Sequence, residues 1–460
     1  MNIGGKTIAV INTLANVYAS HRDYSGFFAK IRTAEWSNIF ISPAVLLIAT
    51  ILKNAGHSVT IYNDLQNAID PAIMNEDIIL ISCITPSARR AYEIAKLFPG
   101  RKIIIGGVHV SALPSEAAEY ADHVVVGECE SVLVDLIEGR IKDKIVYGER
   151  VQNLDGLPFL DFSLLNDLPD IIPVQTSRGC NFTCNYCTIA SMYGTYRSRS
   201  PRNIISELLS FRKNYGEIKK VDFRIDADFT FLRKRAMEVL TIMKAEGIRP
   251  KAIAANSRLQ IYKDRELLKN LSGHNITLCI GIESLKQDVL DGYRKEQKEN
   301  EILEAIKTFH GFGIKIMGYF IFGADQDDRD TLKRYSEFID KSKIDFFQVS
   351  LLTPYPGTDL YKNMVLQQRL FTTDWTYYDG LHITFRPAKM TAYELQKEFL
   401  EFYKKEFSLK FLINPRWLFN PEILRNKLLI YTLRKMFNSD MVNYYSFLDT
   451  NSNKTINLKS

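Results

Sequence analysis

The first third of the chain alternates short apolar runs with stretches in which apolar residues recur at helical spacing. Runs of strand length cover residues 7–12, 58–62, 77–82, 102–106 and 122–127. The stretches 43–54 and 87–98 lie between them and end at Ala55-Gly56 and Pro99-Gly100, which are typical helix stops. Strands that alternate with helices predict a parallel sheet with crossover connections. We therefore expect a doubly wound α/β domain over residues 1–145, with its ligand beyond the carboxyl ends of the strands.

A second alternating series follows this domain. Its strands are predicted near residues 171, 221, 251, 277, 314 and 346, and each interval has the length of one strand-plus-helix unit. Six such units predict a partial (β/α)6 barrel over 171–390, with functional residues at the carboxyl ends of its strands. Residues 146–170 show little periodicity and predict a linker. Residues 391–460 are rich in aromatics, with a helical pattern over 393–411, and predict a small α-helical C-terminal domain.

The amino-acid composition limits the class of protein and the partners that it can bind. A length of 460 residues with 46% hydrophobic and 24% charged residues is typical of a globular protein of about three domains. The net charge of +6 is too small to favour nucleic acid as a partner. No apolar run is long enough for a membrane span, and Asn12 and Asn16 interrupt the only stretch that resembles a signal peptide. We expect a soluble, cytoplasmic protein; its oligomeric state is not indicated.

Three of the six cysteines form a tight cluster. Cys180, Cys184 and Cys187 make a C-x3-C-x2-C triplet in a loop directly after the first predicted barrel strand. In a large chain without an export signal, these residues are expected to be reduced thiols. A structural zinc site has four protein ligands, and no fourth cysteine or histidine lies nearby in the sequence. Three thiolates therefore favour a 4Fe-4S cluster with one open iron. The other three cysteines are predicted to be packing residues.

The triplet, with the aromatic Tyr186 just before its last cysteine, resembles the motif of the radical S-adenosylmethionine (SAM) superfamily. The resemblance implies that the open iron holds SAM, with Tyr186 among the SAM contacts. It also implies that one electron, from an external donor such as flavodoxin or ferredoxin, cleaves SAM to methionine and a 5′-deoxyadenosyl radical. Arg197 and Arg199 follow the loop and are candidates for a SAM or substrate carboxylate, with a solvated loop as the alternative. A non-catalytic iron–sulfur electron carrier would need the triplet but not the barrel.

Polar residues at the ends of the next barrel strands are the further SAM candidates. Asp226 and Asp228 end the second strand, where the resemblance suggests a partner for the SAM ammonium; helix capping is the alternative. Asn256 and Arg258 end the third, and Arg258 is expected either to pair with the SAM carboxylate or to form a surface ion pair. Glu283 ends the fourth strand after an apolar run. A charge there is costly unless it is paired or liganded, so we expect it to contact SAM.

Segments 77–86, 106–114 and 127–130 resemble the cobalamin-binding domain that is fused to many radical SAM proteins. The resemblance implies a flavodoxin-like (Rossmann-type) domain whose strand-end glycines lie against the macrocycle. The candidate cobalamin contacts are Ser82, Thr85, Gly106, Gly107, His109 and Glu128. His21 and His109 lack the Asp and Gly of the D-x-H-x-x-G motif, so a histidine lower ligand is not predicted. A domain that only packs against the barrel is the alternative.

Taken together, these features predict a cobalamin-dependent radical SAM enzyme that methylates an unactivated carbon. The alternative is a radical SAM enzyme that performs cyclisation, rearrangement or oxidation without methyl transfer. The aromatic C-terminal segment predicts a lid for an apolar or tetrapyrrole-like small molecule, and ordinary core packing explains the same aromatics. No single residue is predicted to be catalytic.

Overall fold

The chain folds around two parallel six-stranded sheets that follow one another in sequence. The structure is a computed structural model that describes residues 5–13, 42–64, 69–406, 441, 443–454 and 456. The first sheet has the order β2-β1-β3-β4-β5-β6. Its strands are β1 (Thr7–Asn12), β2 (Ser58–Asn63), β3 (Ile78–Ser82), β4 (Lys102–Gly106), β5 (His123–Val126) and β6 (Ile145–Tyr147). Its helices are α1 (Pro43–Asn54), α2 (Ala88–Lys96), α3 (Val108–Ala112), α4 (Pro114–Ala117) and α5 (Leu133–Ile137).

The second sheet has the order β14-β13-β12-β11-β10-β7, and a short antiparallel pair, β8 with β9, stands beside it. The strands are β7 (Ile171–Pro173), β8 (Ser177–Arg178), β9 (Arg197–Ser198), β10 (Lys220–Asp222), β11 (Ala252–Ser257), β12 (Ile276–Glu283), β13 (Lys315–Phe322) and β14 (Phe346–Leu351). The helices are α6 (Thr188–Tyr193), α7 (Pro201–Tyr215), α8 (Arg233–Ala245), α9 (Arg265–Ser272), α10 (Gln287–Gly292), α11 (Ile302–Gly311), α12 (Thr331–Ser342), α13 (Asp359–Leu366) and α14 (Ala392–Glu406).

The predicted fold class is confirmed, and the strands lie where the apolar pattern placed them. The order of the first five strands is that of flavodoxin-like domains, and six parallel strands make up the partial barrel. The sequence pattern missed β6, which has three residues at the sheet edge and leaves Tyr147 exposed. The predicted helix over 393–411 is described as far as Glu406 in α14. The remainder of that helix, most of the predicted C-terminal domain and His21 lie outside the described residues.

The two faces of the barrel sheet differ in burial. On β11 and β13, alternate residues are buried and the residues between them are only half-buried. The buried set, including Ile253, Ile316 and Phe320, packs with apolar residues of the surrounding helices such as Leu208 and Ile306. Among the described residues, the opposite, inner face is therefore less covered than that of a closed barrel, whose interior is filled with side chains. An open inner face leaves room for a substrate at the carboxyl ends of the strands.

A segment that follows the last barrel strand and helix α13 returns to the first domain. Trp375, in a short 3-10 turn, belongs to the buried apolar cluster of the first domain, and its indole Nε1 donates to Glu116 Oε1 at 2.9 Å. Asp374 beside it pairs with Arg89 on α2 at 3.2 Å. These contacts hold the first domain against the barrel. In the part of the chain that the structure describes, no helix is both long and apolar enough to cross a membrane.

Replacing Gly107 with a larger residue is expected to damage the first domain. Its φ of 126° lies in a region that L residues rarely adopt, and an added Cβ would overlap the backbone carbonyl of Cys83. We expect Gly107→Ala to lower the free energy of unfolding by about 3 kcal/mol. Gly100→Ala is the control, since its φ is +83° but nothing lies within 4 Å of an added Cβ, so the expected loss is about 1 kcal/mol. Urea unfolding followed by circular dichroism measures both, and equal losses would contradict the steric argument.

Candidate functional site

The cysteine triplet lies in a loop between β8 and α6. Gly179 opens the loop with φ +78°, and an added Cβ would overlap the carbonyl oxygens of residues 194 and 195, so only glycine fits. The backbone N–H of Cys180 donates to Gly194 O at 3.0 Å, and that of Cys187 to Cys184 O at 3.2 Å. All three thiols are half-buried and free. Burial raises the pKa of Cys180, and that of Cys187 to about 11. Among the described residues, no three Cys, His, Asp or Glu side chains surround a single point as a mononuclear metal site would need.

Asp226, a predicted SAM contact, is buried beneath this loop. Its Oδ1 accepts the backbone N–H groups of Thr176 and Ser177, both at 2.8 Å, and its Oδ2 accepts the Thr176 hydroxyl. The Arg235 guanidinium donates to the Thr176 carbonyl at 3.0 Å. Burial raises the pKa of Asp226 to about 6, even though these hydrogen bonds oppose the rise. The carboxylate therefore holds the chain where it enters the cysteine loop.

Asp228 and Asn256 also have partners within the protein. Asp228 Oδ1 accepts the backbone N–H and the hydroxyl of Thr230 at 2.9 and 2.7 Å, and burial raises its pKa. The Asn256 amide donates to the carbonyls of Arg224 and Asp226 at 2.8 and 3.0 Å. Asn256 therefore fixes the turn that carries Asp226 and Asp228.

Arg258 lies against the cysteine loop. Its guanidinium carbon is 3.4 Å from the centroid of the Phe182 ring, which is between the first two cysteines of the loop. Its Nη2 donates to the carbonyl of Lys295 at 2.5 Å. A cation stacked on an aromatic ring in this way ties the end of β11 to the loop.

Glu283 forms a largely buried charged pair near the triplet. It is 7% exposed, and its Oε1 accepts from Lys295 Nζ at 2.7 Å. Burial raises the pKa of Tyr186 and the charge of the Glu283 carboxylate raises it further, so the predicted Tyr186 and Glu283 lie near each other. A Cβ at Gly281 would occupy the space of this pair, and Glu283 itself has φ +62°. Sequence reasoning missed Lys295, because no pattern links a lysine on the following loop to the end of β12.

A cavity of about 280 Å³ lies between the first domain and the barrel, at the carboxyl ends of the first-domain strands. Four of the predicted cobalamin contacts line it: Ser82, Gly106, Gly107 and Glu128. Residues of the cysteine segment line the same space from the barrel side: Gln175, Arg178, Met192 and Tyr193. The predicted site for the second cofactor and the base of the cysteine loop thus share one cavity.

Thr85 and His109, the other two predicted cobalamin contacts, are buried but are not among the residues that line the cavity. Thr85 begins a 3-10 turn after β3. The His109 ring on α3 lies 5.1 Å from the Trp375 ring, and its Nε2 is 3.4 Å from Glu116 Oε1. The structure therefore places His109 in the contact between the domains.

The cavity combines an edge of glycines with a wall of apolar side chains. A Cβ at Gly106 would meet only Val125 Cβ, at 3.8 Å, so a larger side chain there would take room from the cavity. Aliphatic side chains form one wall of the cavity: Val10, Leu47, Ile48, Leu80, Ile104 and Leu133. Ser82 and the backbone at Gly107 add polar groups. Glycines at one edge and apolar side chains along one wall are features that a cobalamin site would need.

Two protein families match the chain in the regions of these two sites. The Radical SAM superfamily matches residues 174–339, and the B12 binding domain matches residues 29–137. The first match contains the triplet and the barrel strands β10 to β13, and the second contains strands β2 to β5 of the first sheet.

Similar proteins include a methyltransferase and a cyclase. The chain is 31% identical over 384 residues to the bacteriochlorophyllide d C-12(1)-methyltransferase of Chlorobaculum tepidum, covering 79% of this chain and 82% of that protein. It is 27% identical to the anaerobic magnesium-protoporphyrin IX monomethyl ester cyclase of Cereibacter sphaeroides, covering 75% of this chain and 62% of that protein.

A solved structure agrees in fold over most of the chain. The cobalamin-dependent SAM radical enzyme OxsB, with aqua-cobalamin and SAM bound, aligns with a TM-score of 0.67 at 14% identity, covering 97% of this chain and 72% of that chain. The donor set of three thiolates, the two family matches and the methyltransferase relative agree with one another. The protein thus belongs to the radical SAM superfamily, in the branch with an N-terminal B12-binding domain, and is an enzyme that uses a 4Fe-4S cluster, SAM and cobalamin.

Proposed function

We propose that this enzyme transfers a methyl group to an unactivated carbon of a small molecule. The observation that carries the proposal is the shared cavity: one side is built from first-domain strand ends and the other from residues flanking the cysteine triplet. A methyl transfer that follows radical formation needs both cofactors at one substrate, and this arrangement brings their sites together. The methyltransferase relative supports the same reaction class. We propose the division of the chain predicted above, with a cobalamin domain, linker, barrel and helical C-terminal domain.

The cofactors supply the reactive groups, and the protein binds, orients and shields them. When bound, the cluster and SAM supply a 5′-deoxyadenosyl radical that abstracts hydrogen from the substrate carbon, and cobalamin supplies the methyl group. We propose that Cys180, Cys184 and Cys187 hold three irons of the cluster. Their thiols must lose protons to bind iron, so cluster assembly releases protons from groups whose pKa burial raises.

The polar residues around the triplet divide into two roles in this proposal. Glu283 and Lys295 present opposite charges that match the ammonium and carboxylate of SAM, and Tyr186 lies near Glu283. Asp228 lies near Arg258 and Lys295 and adds a second carboxylate. Asp226, Asn256 and Arg258 bond the backbone or the Phe182 ring, and we propose that they position the loop and its neighbouring turns.

The open inner face of the barrel is the proposed substrate site. Half-buried Met317, Tyr319 and Ser350 line this face, a mixture of apolar and polar groups. Since both relatives act on tetrapyrroles, we propose a tetrapyrrole-like substrate. We further propose a cytoplasmic location and reduction by a flavodoxin or ferredoxin, without nucleic acid as a partner. The cyclase relative supports the second candidate, radical chemistry on a tetrapyrrole without methyl transfer.

Methyl transfer is tested with the reconstituted holoenzyme, SAM carrying a trideuterated methyl group, a low-potential reductant and a bacteriochlorophyllide. We expect a product that contains the trideuterated methyl group, together with 5′-deoxyadenosine, both detected by mass spectrometry. Formation of 5′-deoxyadenosine with an unmethylated, oxidised or cyclised product would support the second candidate instead. Absence of 5′-deoxyadenosine under all conditions would exclude both.

Removing one cluster ligand should abolish the chemistry. We expect Cys184→Ala to lose the iron–sulfur absorbance after reconstitution and to form no 5′-deoxyadenosine, because two thiolates no longer hold the cluster. Cys83→Ala is the matched control, since Cys83 is a buried cysteine of the first domain that lies outside both the triplet and the cavity lining. It should keep the iron content and the rate within about twofold of the parent protein.

Gly281→Ala tests the proposed SAM contacts. Its Cβ would displace the Glu283 carboxylate and the Lys295 ammonium, which are ends of flexible side chains, so the pair should move while the fold remains. We expect the Kd for SAM to rise about tenfold, equivalent to about 1.4 kcal/mol, with little change in Tm. Gly292→Ala, where nothing lies within 4 Å of an added Cβ, should leave the Kd unchanged. Equal SAM affinities for both variants, measured by equilibrium dialysis, would contradict these roles.

A further inference from the structure

Four charged side chains join the two domains at the base of the cysteine loop. Glu128 and Glu130 follow β5 of the first domain, Arg178 ends β8 two residues before Cys180, and Arg197 begins β9. We call them the interdomain charge cluster. Their side chains are 1%, 10%, 6% and 9% exposed, respectively, so all four charges are removed from water. Two carboxylates and two guanidinium groups balance in charge, which makes this burial possible.

Glu128 is the centre of the cluster. Its Oε2 accepts from Arg178 Nη1 at 2.9 Å, from Arg197 Nη1 at 3.1 Å and from the backbone N–H of Val151 at 3.0 Å. Its Oε1 accepts from Arg197 Nη2. Glu130 pairs with Arg178 at 2.7 Å. One carboxylate of the first domain thus bonds both strands that flank the cysteine loop and the connector between the domains.

Arg197 also contacts the far end of the cysteine loop. Its Nη2 also donates to the carbonyl of Tyr193, at 2.8 Å, and its Nη1 to that of Val151, at 2.5 Å. Tyr193 is the last residue of α6, which begins directly after Cys187. Glu128 therefore reaches the segment before the first cysteine through Arg178 and the helix after the last cysteine through Arg197.

The same carboxylate lies in the wall of the cavity. Glu128, Glu130, Arg178 and Tyr193 all line it, beside the glycines at the end of β4. Burial alone would raise the pKa of Glu128, but the hydrogen bonds from Arg197 and Val151 and the charges of both arginines lower it overall. Both oxygens of the Glu128 carboxylate accept hydrogen bonds from groups of the protein. Glu128 is thus built into the wall as a support rather than pointed at a ligand.

We propose that Glu128 is a positioning residue for methyl transfer: it fixes the cysteine loop to the wall of the cobalamin cavity and thereby sets the two cofactor sites relative to each other. This inference rests on the proposed function. It changes the sequence-based expectation for Glu128 from a cobalamin contact to a residue that acts through Arg178 and Arg197. Reacting groups misplaced by about 1 Å can lose about 100-fold in rate, so a small shift of the loop should affect transfer between the sites strongly.

The first test is the coupling of the two half-reactions in Glu128→Gln holoenzyme. The substitution keeps the size of the side chain but leaves two arginines with Glu130 as the remaining carboxylate of the cluster. We expect 5′-deoxyadenosine to form within about twofold of the parent rate, while methylated product per 5′-deoxyadenosine falls about tenfold. An unchanged ratio would overturn the proposal, because a residue that only stabilises the fold would lower both products together.

The second test measures the placement without turnover. Microwave power saturation of the cob(II)alamin electron paramagnetic resonance signal depends on its distance from the reduced cluster. In each protein, the half-saturation power is measured first with the cluster oxidised and then with the cluster reduced. We expect the change between these two states to differ between Glu128→Gln and the parent protein. Identical saturation would overturn the proposal. This measurement needs no product, so it still decides the role of Glu128 if the parent enzyme methylates none of the substrates tried. That failure would count against the proposed function alone.

Two further variants separate positioning from stability. Arg197→Lys keeps the charge balance but loses the planar guanidinium that bonds Glu128 twice. Methylated product per 5′-deoxyadenosine should therefore fall in part. It also serves as the test if Glu128→Gln does not retain its cofactors, and full coupling in Arg197→Lys would then overturn the proposal. Asp64→Asn is the control, because Asp64 is a buried carboxylate bonded by Arg90 at 2.9 Å outside the cavity lining. It should leave the product ratio unchanged, and equal uncoupling there would assign the effect to general destabilisation.

Discussion

The structure depends on the way buried carboxylates hold the two ends of the cysteine loop. A loop that presents three thiols on one side must keep its own backbone groups bonded on the other side. Asp226 meets this need from below, where it accepts the N–H groups of Thr176 and Ser177. Glu128 meets it from the neighbouring domain through Arg178 and Arg197. Because buried charges are tolerated only when they are paired, each of these carboxylates specifies one arrangement of its partners.

The open inner face of the barrel follows from the placement of the apolar residues. One side of β11 and β13 is buried against the helices, while the other side is left half-buried. Six strands provide enough apolar surface for one packed layer between sheet and helices, and the described residues form no second, inner layer like the one that fills a complete barrel. The first domain packs against one end of the barrel, the segment around Trp375 joins its apolar cluster, and the cavity lies between the two domains.

Most predicted strands coincide with observed strands because each is a short apolar run bounded by clear breakers, and burial of such runs is decided locally. The edge strand β6 was missed, since three residues with an exposed tyrosine carry almost no such signal. Among the candidate site residues, the local motif identified the triplet and Tyr186. It did not separate Asp226, whose bonds are to the backbone, from Glu283, which pairs with Lys295. Both are carboxylates at strand ends, so the sequence presents them as equivalent.

The sequence by itself determined the class of chemistry, because the spacing of three cysteines after a strand and the repeat of strand-plus-helix units are local properties. It also determined which strand ends would carry polar groups. Only the tertiary structure decided what those groups bond. His109 lies against Trp375, more than 260 residues away in the chain, and Lys295 reaches Glu283 from a separate loop. Glu128 meets two arginines of another domain. Such pairings arise when sheets and domains pack, and no periodicity along the chain records them.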